Sequence, residues 1–194
     1  MKRVVCMALS AGLSLGTPAF GEVWEYGEAE CNQLWFMRNL IVDRAGYCFG
    51  SELGQALFNN GDCVGQDIRL SPAQEAQVGR IRGLERQIGC SVDTSATSLD
   101  VAYMGALRNL RDMALPDNGA ALCTWAGSPV SLFDGAGAGS TAIGTMEAGD
   151  TVTFEWIGEE AASLLTISKG GRDGPTLLGW SPNGAVNFER DCTD

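Results

Sequence analysis

Residues 31–50 read CNQLWFMRNLIVDRAGYCFG, a mostly apolar run with a cysteine near each end and Arg38, Asn39, Asp43 and Arg44 set into its middle. Leu34, Met37, Ile41 and Ala45 fall at i, i+3, i+7 and i+11, which is one face of an α-helix. Gly46 follows as a residue able to take positive φ and stop that helix. Arg38, Asn39, Asp43 and Arg44 are out of place on a purely apolar helix, so they are either a site or part of the scaffold. In a thin helical core, arginine heads bridge carbonyls at helix ends and carboxylates such as Asp43, while their stems cover apolar surface. The competing reading is capture of a carboxylate or phosphate by a bidentate guanidinium. A domain this small needs such bridges, so the four residues read as a structural polar cluster.

Working outward, the helical texture continues to about residue 115. Ser51 caps a short helix over Glu52 to about Asn59, which Asn60-Gly61 ends. Ser71-Pro72-Ala73-Gln74 joins an N-cap serine, a first-turn proline and an N3 glutamine in a capping box. The helix it opens has Val78, Ile81, Leu84 and Ile88 on one face and closes at Gly89. A fourth helix is predicted from about Ser98 to Leu115, with Leu99, Tyr103, Ala106, Leu107, Leu110 and Met113 facing inward and Pro116 stopping it. Arg-Asn-Leu occurs at 38–40 and again at 108–110, but the flanks do not match and the echo reads as chance. Beyond Pro116-Asp117-Asn118-Gly119 the chain turns glycine-rich, with β-like runs at Val130–Phe133, Thr151–Ile157, Leu164–Ser168 and Leu177–Trp180. The expected fold class is α+β: a small disulfide-stapled helical domain over 22–116, then a small antiparallel β-barrel or sandwich over 117–194.

The first residues are an address. Lys2 and Arg3 precede an uncharged, mostly apolar stretch of 12 residues, Val4 to Leu15, and Ala19-Phe20-Gly21 puts small residues at −3 and −1 of a cleavage site. That is a secretory signal peptide over 1–21, too short in its apolar core to span a bilayer. The expected product is periplasmic or secreted, begins near Glu22 and has no membrane insertion once the leader is removed.

Six cysteines remain: Cys31, Cys48, Cys63, Cys90, Cys123 and Cys192. An even number in an exported chain reads as disulfides, and no C-x-x-C pair supports a redox or zinc site. If residues 31 to 45 are helical, Cys31 and Cys48 lie roughly 20 Å apart and cannot pair. Cys123 and Cys192 bracket the final segment and are expected to close it. Cys31–Cys90 with Cys48–Cys63 is preferred over Cys31–Cys63 with Cys48–Cys90.

The chain carries 13 basic and 24 acidic residues; without Lys2 and Arg3 the balance is 11 against 24, a net charge of −13. Such a field repels nucleic acid and anionic headgroups and attracts cationic proteins. Histidine is absent, and Lys169 is the only lysine after the leader. Ser-His-Asp and Cys-His catalysis and most catalytic zinc sites need an imidazole, so only carboxylate chemistry remains open. No metal or other cofactor is expected.

The run Leu34 to Phe49 resembles the YARHG domain, a small helical module of exported bacterial proteins. Arg38 and Asn39 match its Arg-Asn pair, Arg44 and Gly46 match two of the five naming residues, and Tyr47 and Phe49 match its aromatics. Val42, Asp43 and Ala45 depart from the pattern; Ala45 replaces the family histidine, so any role of that histidine is absent. The resemblance covers roughly residues 31–90. The six-cysteine chain also looks like a family of exported bacterial proteins that append a domain of unknown function to this module. The C-terminal segment resembles a bacterial SH3-type domain through Val130–Asp134, through Ala142–Val152 and through the closing Leu178-Gly179-Trp180-Ser181. The tryptophan such domains carry before the penultimate strand has no clear counterpart. These resemblances imply binding of cell-wall peptides or sugars, or pairing with a neighbouring domain.

Trp125, Phe133, Trp156 and Trp180 are the ligand-binding candidates, as an aromatic groove on the barrel with Trp180 partly exposed; the alternative is that at least two of them are core. Gly137 to Ala142 fits G-x-G-x-x-A but opens no helix, so it reads as a loop. Asp150, Glu155, Glu159 and Glu160 hold the only plausible carboxylate pair, Glu155 with Glu159. No calcium-loop pattern appears. The leading expectation is a non-catalytic exported protein that binds a cell-wall fragment, such as peptidoglycan, or an envelope protein. The alternatives are an inhibitor or escort of a cationic secreted protein such as a lysozyme-like hydrolase, and a carboxylate-dependent hydrolase.

Overall fold

Gly27, extended at the N-cap, receives the Glu30 carboxylate on its own N–H at 2.7 Å and so opens helix α1 (Glu28–Asp43). In the computed structural model, which describes residues 22–23, 25–159 and 161–193, α1 is the axis of the helical segment. The leader expected at 1–21 lies outside the described residues. Nearly every residue from Cys31 to Ile41 is buried, because other elements pack on α1 from several sides. Short α2 (Glu52–Leu57) is capped by Ser51, and Phe58 just after it stacks on Phe36 and Phe49 with ring centroids 5.5 and 4.7 Å apart. Helix α3 (Pro72–Ile88) starts in the expected Ser71–Gln74 capping box and ends where Gly89 takes φ +73°. Cys31–Cys90 and Cys48–Cys63 are formed, with Cα separations of 5.2 and 5.1 Å, and the first ties α1 to the end of α3.

The predicted helix over 98–115 is not one. Tyr103 takes φ +59°, and only α4 (Met104–Leu107) follows before irregular turns carry the chain to Ala114. Leu107, Leu110, Met113 and Ala114 are nonetheless buried. The apolar spacing was a true burial signal, but the backbone polar groups find partners outside the segment. Arg44 donates to Leu110 O at 2.6 Å and Arg108 O at 2.8 Å, Gln77 donates to Met113 O at 2.9 Å, and Trp180 Nε1 donates to Asp112 O at 2.8 Å.

The sheet comprises β1 (Glu22–Val23), β2 (Pro116–Trp125), β3 (Val130–Phe133), β4 (Ala142–Met146), β5 (Thr151–Trp156), β6 (Ala162–Ser168), β7 (Thr176–Pro182) and, after the one-turn helix α5 (Phe188–Asp191), β8 (Cys192–Thr193). The strands run antiparallel in the order β1-β2-β5-β6-β7-β3-β4, with β8 beside β2, and curl into a half-barrel. Pro116, expected to begin a break, is the first residue of β2, the longest strand. Among the described residues no ladder joins β4 back to β1 or β8, so the sheet is an open half-barrel and the closed SH3-type barrel is not reproduced. Cys123–Cys192 links β2 to β8 with Cα atoms 5.5 Å apart.

Strand β6 is buried on both faces. Leu165 and Ile167 pack with Trp125, Leu132, Met146 and Val152 inside the curl. Leu164, with Trp156, Leu178 and Trp180, joins the same core as α1, α3 and the 107–114 segment. The period-2 alternation of a strand is thus spent on two different cores. Helices and sheet share one of them.

Arg44→Ala strips charge-assisted bonds from two carbonyls and should lower unfolding free energy by about 1–3 kcal/mol in urea titration. Asp43→Asn should cost far less, because burial and the Asp62 charge already push the Asp43 carboxyl up against the pull of Arg108 and Arg44. A larger loss in Asp43→Asn than in Arg44→Ala would contradict this assignment.

Candidate functional site

The four polar residues of the opening stretch act mainly as scaffold. Arg38 Nε reaches both carboxylate oxygens of Glu85, at 3.1 and 3.0 Å, and clamps α1 to α3. Asn39 is buried and donates to Trp35 O at 2.7 Å, one turn back. Arg44 holds the 108–110 carbonyls. Asp43 makes no ion pair among the described residues, contrary to the expectation that an arginine would bridge to it. Arg108, which composition and spacing did not single out, donates to Leu57 O at 2.6 Å and lies 5.0 Å over the Phe36 ring and 5.6 Å over Phe58.

The aromatic groove does not form as expected. Trp180, expected to be partly exposed, is 1% exposed; Trp125 is 1% and Trp156 is 7%. Each indole N–H is also consumed, by Asp112 O, Ser128 O and Thr166 Oγ1 respectively. Large indoles are placed in the core because each buries a wide apolar face while its polar tip finds an acceptor. Only Phe133 keeps a partly open face.

Concave surface is found along the seam where helices meet sheet. A cleft of about 840 Å³ lies between α3 and the sheet, lined by Gln74, Gln77, Arg80, Arg111, Glu159 and Ala161 among others, with Trp180 at its border. It shares Ala136, Gly137, Ala161 and Trp180 with a second cleft of about 290 Å³. That one shares Phe133 and Pro182 with a third of about 530 Å³, which reaches Arg190 and Asp191. The three clefts adjoin, each sharing wall residues with the next, and together they form the seam groove.

The loop Gly135–Thr141 forms one wall of this groove. Arg111 and Asp112 N–H groups donate to Asp134 O at 2.6 and 3.3 Å, and the Arg111 guanidinium holds Gly139 O at 3.0 Å and Ser140 Oγ at 2.9 Å. A Cβ on Gly135 would meet the ends of the Asp112 and Arg111 side chains, so a larger residue there would make both side chains shift. The G-x-G-x-x-A run is therefore a wall held from outside, with no helix after it, as read from sequence.

The carboxylates are divided. Glu155 accepts from Thr166 Oγ1 at 2.5 Å and lines a small cleft with Tyr103, whereas Glu159 pairs with Arg80 at 3.1 Å in the seam groove. Glu155 and Glu159 thus line two different clefts. Glu160 lies outside the described residues. Burial, then the charge and hydrogen bond of Glu155, push the Tyr103 hydroxyl up to about 12, so Tyr103 donates a proton to this contact and stays neutral. Among the described residues no cluster of three metal-ligating side chains exists, and no helix is long and apolar enough to cross a membrane.

Asp150 is spent on turns. Its carboxylate accepts from Lys169 Nζ at 2.6 Å, Glu147 N at 2.7 Å and Gly170 N at 2.8 Å, locking the β4–β5 turn to the start of the β6–β7 turn. Burial by itself would raise its pKa; the Lys169 bond, the two N–H groups and the ammonium charge outweigh that and hold the carboxyl below its ordinary value.

These features define a class: an α+β protein in which disulfide-stapled helices sit on a curled antiparallel sheet with a groove along the junction. Residues 89–194 match the Domain of unknown function (DUF4453), more than half of the chain, and the protein belongs to that family. Residues 24–86 match the YARHG domain, a module of exported proteins, as the Arg38-Asn39 and Arg44-x-Gly46-Tyr47 pattern implied. No curated protein and no solved structure matches the chain.

A carboxyl with depressed folded pKa lends stability that is complete above its unfolded pKa and disappears as pH falls through the folded one. Asp150→Asn should therefore cost about 2–3 kcal/mol near neutral pH. The gap from the parent should narrow as pH drops below about 4. Urea melts of both proteins across that range check it, and a gap that does not change with pH would contradict it.

Proposed function

We propose that this protein is a non-catalytic exported binder of the cell envelope and that it takes an extended ligand, a peptidoglycan strand or its peptide, in the seam groove. The observation that carries this reading is that the three clefts adjoin one another in a row, sharing Phe133, Pro182, Trp180 and Ala161 as walls. A linear polymer fills such a track better than a compact metabolite would, and most small-molecule sites are single cavities. The groove combines apolar walls with guanidinium and amide groups from Arg80, Arg111, Gln74 and Gln77, a mixture that suits sugars and short peptides. The exported family module and the three disulfides support a periplasmic or secreted location.

The acidic surplus favours a second reading, an inhibitor or escort of a cationic secreted protein. That association would weaken steeply as salt rises, because it rests on screened surface charge.

Gly137 borders two of the clefts, and a Cβ there meets no atom within 4 Å, so Gly137→Trp adds bulk at the groove wall without a clash at its first side-chain atom. The disulfide-bonded protein should co-sediment with purified peptidoglycan at moderate salt, and Gly137→Trp should abolish pelleting while leaving the melting temperature unchanged. Absence of pelleting by the parent protein, or full pelleting by the variant, would overturn the groove reading.

A further inference from the structure

A separate cleft of about 630 Å³ lies on the YARHG-matching part and shares no lining residue with the seam groove. Its walls are α1, α3 and the 66–70 segment between α2 and α3. Arg38, Arg69 and Arg82 converge on it, against a single acidic lining residue, Glu75. That balance runs against the composition of the whole chain, in which acids outnumber bases 24 to 13.

Nothing in the fold uses these cations fully. Glu85 engages only the Nε of Arg38, leaving Nη1 and Nη2 without a hydrogen bond to any described residue. The side chains of Arg69 and Arg82 make no hydrogen bond or ion pair with a described residue. Glu85 thus pins a guanidinium in place while its fork stays unfilled, which reduces the ordering cost of binding a planar or tetrahedral oxyanion. Tyr47, Ile68 and Val78 add an apolar flank, and the volume is that of a small-ligand site.

We infer that this cleft binds an oxyanion-bearing small ligand, a carboxylate or a phosphate group with a short apolar portion beside it. The contribution of Arg38 is therefore double: its Nε holds α1 to α3 and its Nη groups face the ligand. The inference does not rest on the seam groove.

Isothermal titration of the full disulfide-bonded protein, at ionic strength held constant with chloride, tests it with two probes. One is inorganic phosphate; the other is N-acetyl-alanyl-alanine, whose only charge is its carboxylate. At least one should bind, and Arg69→Ser with Arg82→Ser should weaken that binding about ten-fold or more, with the melting temperature retained because both residues are exposed. Arg38→Lys, which can keep a cation on Glu85 but removes the fork, should weaken it as well. Gly137→Trp should leave it unchanged, so that failure here and failure of the seam groove are told apart. Binding of phosphate alone points to phosphoryl ligands, and binding of the peptide alone to carboxylate ligands. Absence of binding by both probes, or binding indifferent to the double substitution, would overturn the inference.

Discussion

The backbone from Arg108 to Met113 has no regular secondary structure, lies against the core, and must have its carbonyls bonded. Arg44 takes two of them, Trp180 a third and Gln77 a fourth. An unpaired carbonyl away from water costs as much as a lost hydrogen bond or more, so the donors to the part-buried Leu110, Asp112 and Met113 carbonyls, drawn from the end of α1, from β7 and from α3, matter more than the bond to the exposed Arg108 carbonyl. The same six residues reach the sheet through the Arg111 and Asp112 N–H groups on Asp134 O. One irregular strip therefore registers three elements against each other, and the groove lies where it meets the sheet.

This arrangement explains how the chain distributes its large and charged side chains. Of the tryptophans that could have lined a binding face, Trp156 and Trp180 complete the core shared by helices and sheet and Trp125 fills the core inside the curl, and their indole N–H groups cap backbone or threonine oxygens. Arginine stems cover aromatic rings while their heads act on carbonyls, as Arg108 does over Phe36 and Phe58. The only lysine past the leader is spent on Asp150. Disulfides fasten the places with the least core: the loop after α1, the end of α3 and the last strand. What is left for ligands is the seam, together with arginines that structure uses partly or not at all.

Local signals in the sequence were read accurately where the physics is local. The Ser71–Gln74 capping box, the stop at Gly89 and the strand at Val130–Phe133 each depend on a few adjacent residues, and each stands where expected. For the cysteines, the length of one helix excluded only Cys31–Cys48; Cys31–Cys90 with Cys48–Cys63 was preferred over one other set, and it is the set the structure holds. The segment from Ser98 to Leu115 failed because its apolar spacing reports burial, which a helix and an irregular strip satisfy equally; the partners of its carbonyls sit 30 to 70 residues away in the chain. β2 was missed because Pro116-Asp117-Asn118-Gly119 reads as a turn, whereas pairing with β5 draws it into a long strand with an irregular register between Pro116 and Ala121.

Residue content and short-range spacing determined the α+β order of elements, the presence of six cysteines, the family module and the absence of imidazole chemistry. Tertiary structure alone decided which aromatics are exposed, which carboxylates share a cleft and which arginines remain unpaired. Those properties depend on side chains distant in sequence competing for the same partners. Arg38 illustrates the division: its helix follows from local pattern, but its clamp onto Glu85 of α3 and the fork left open because Glu85 reaches only Nε were decided by tertiary structure.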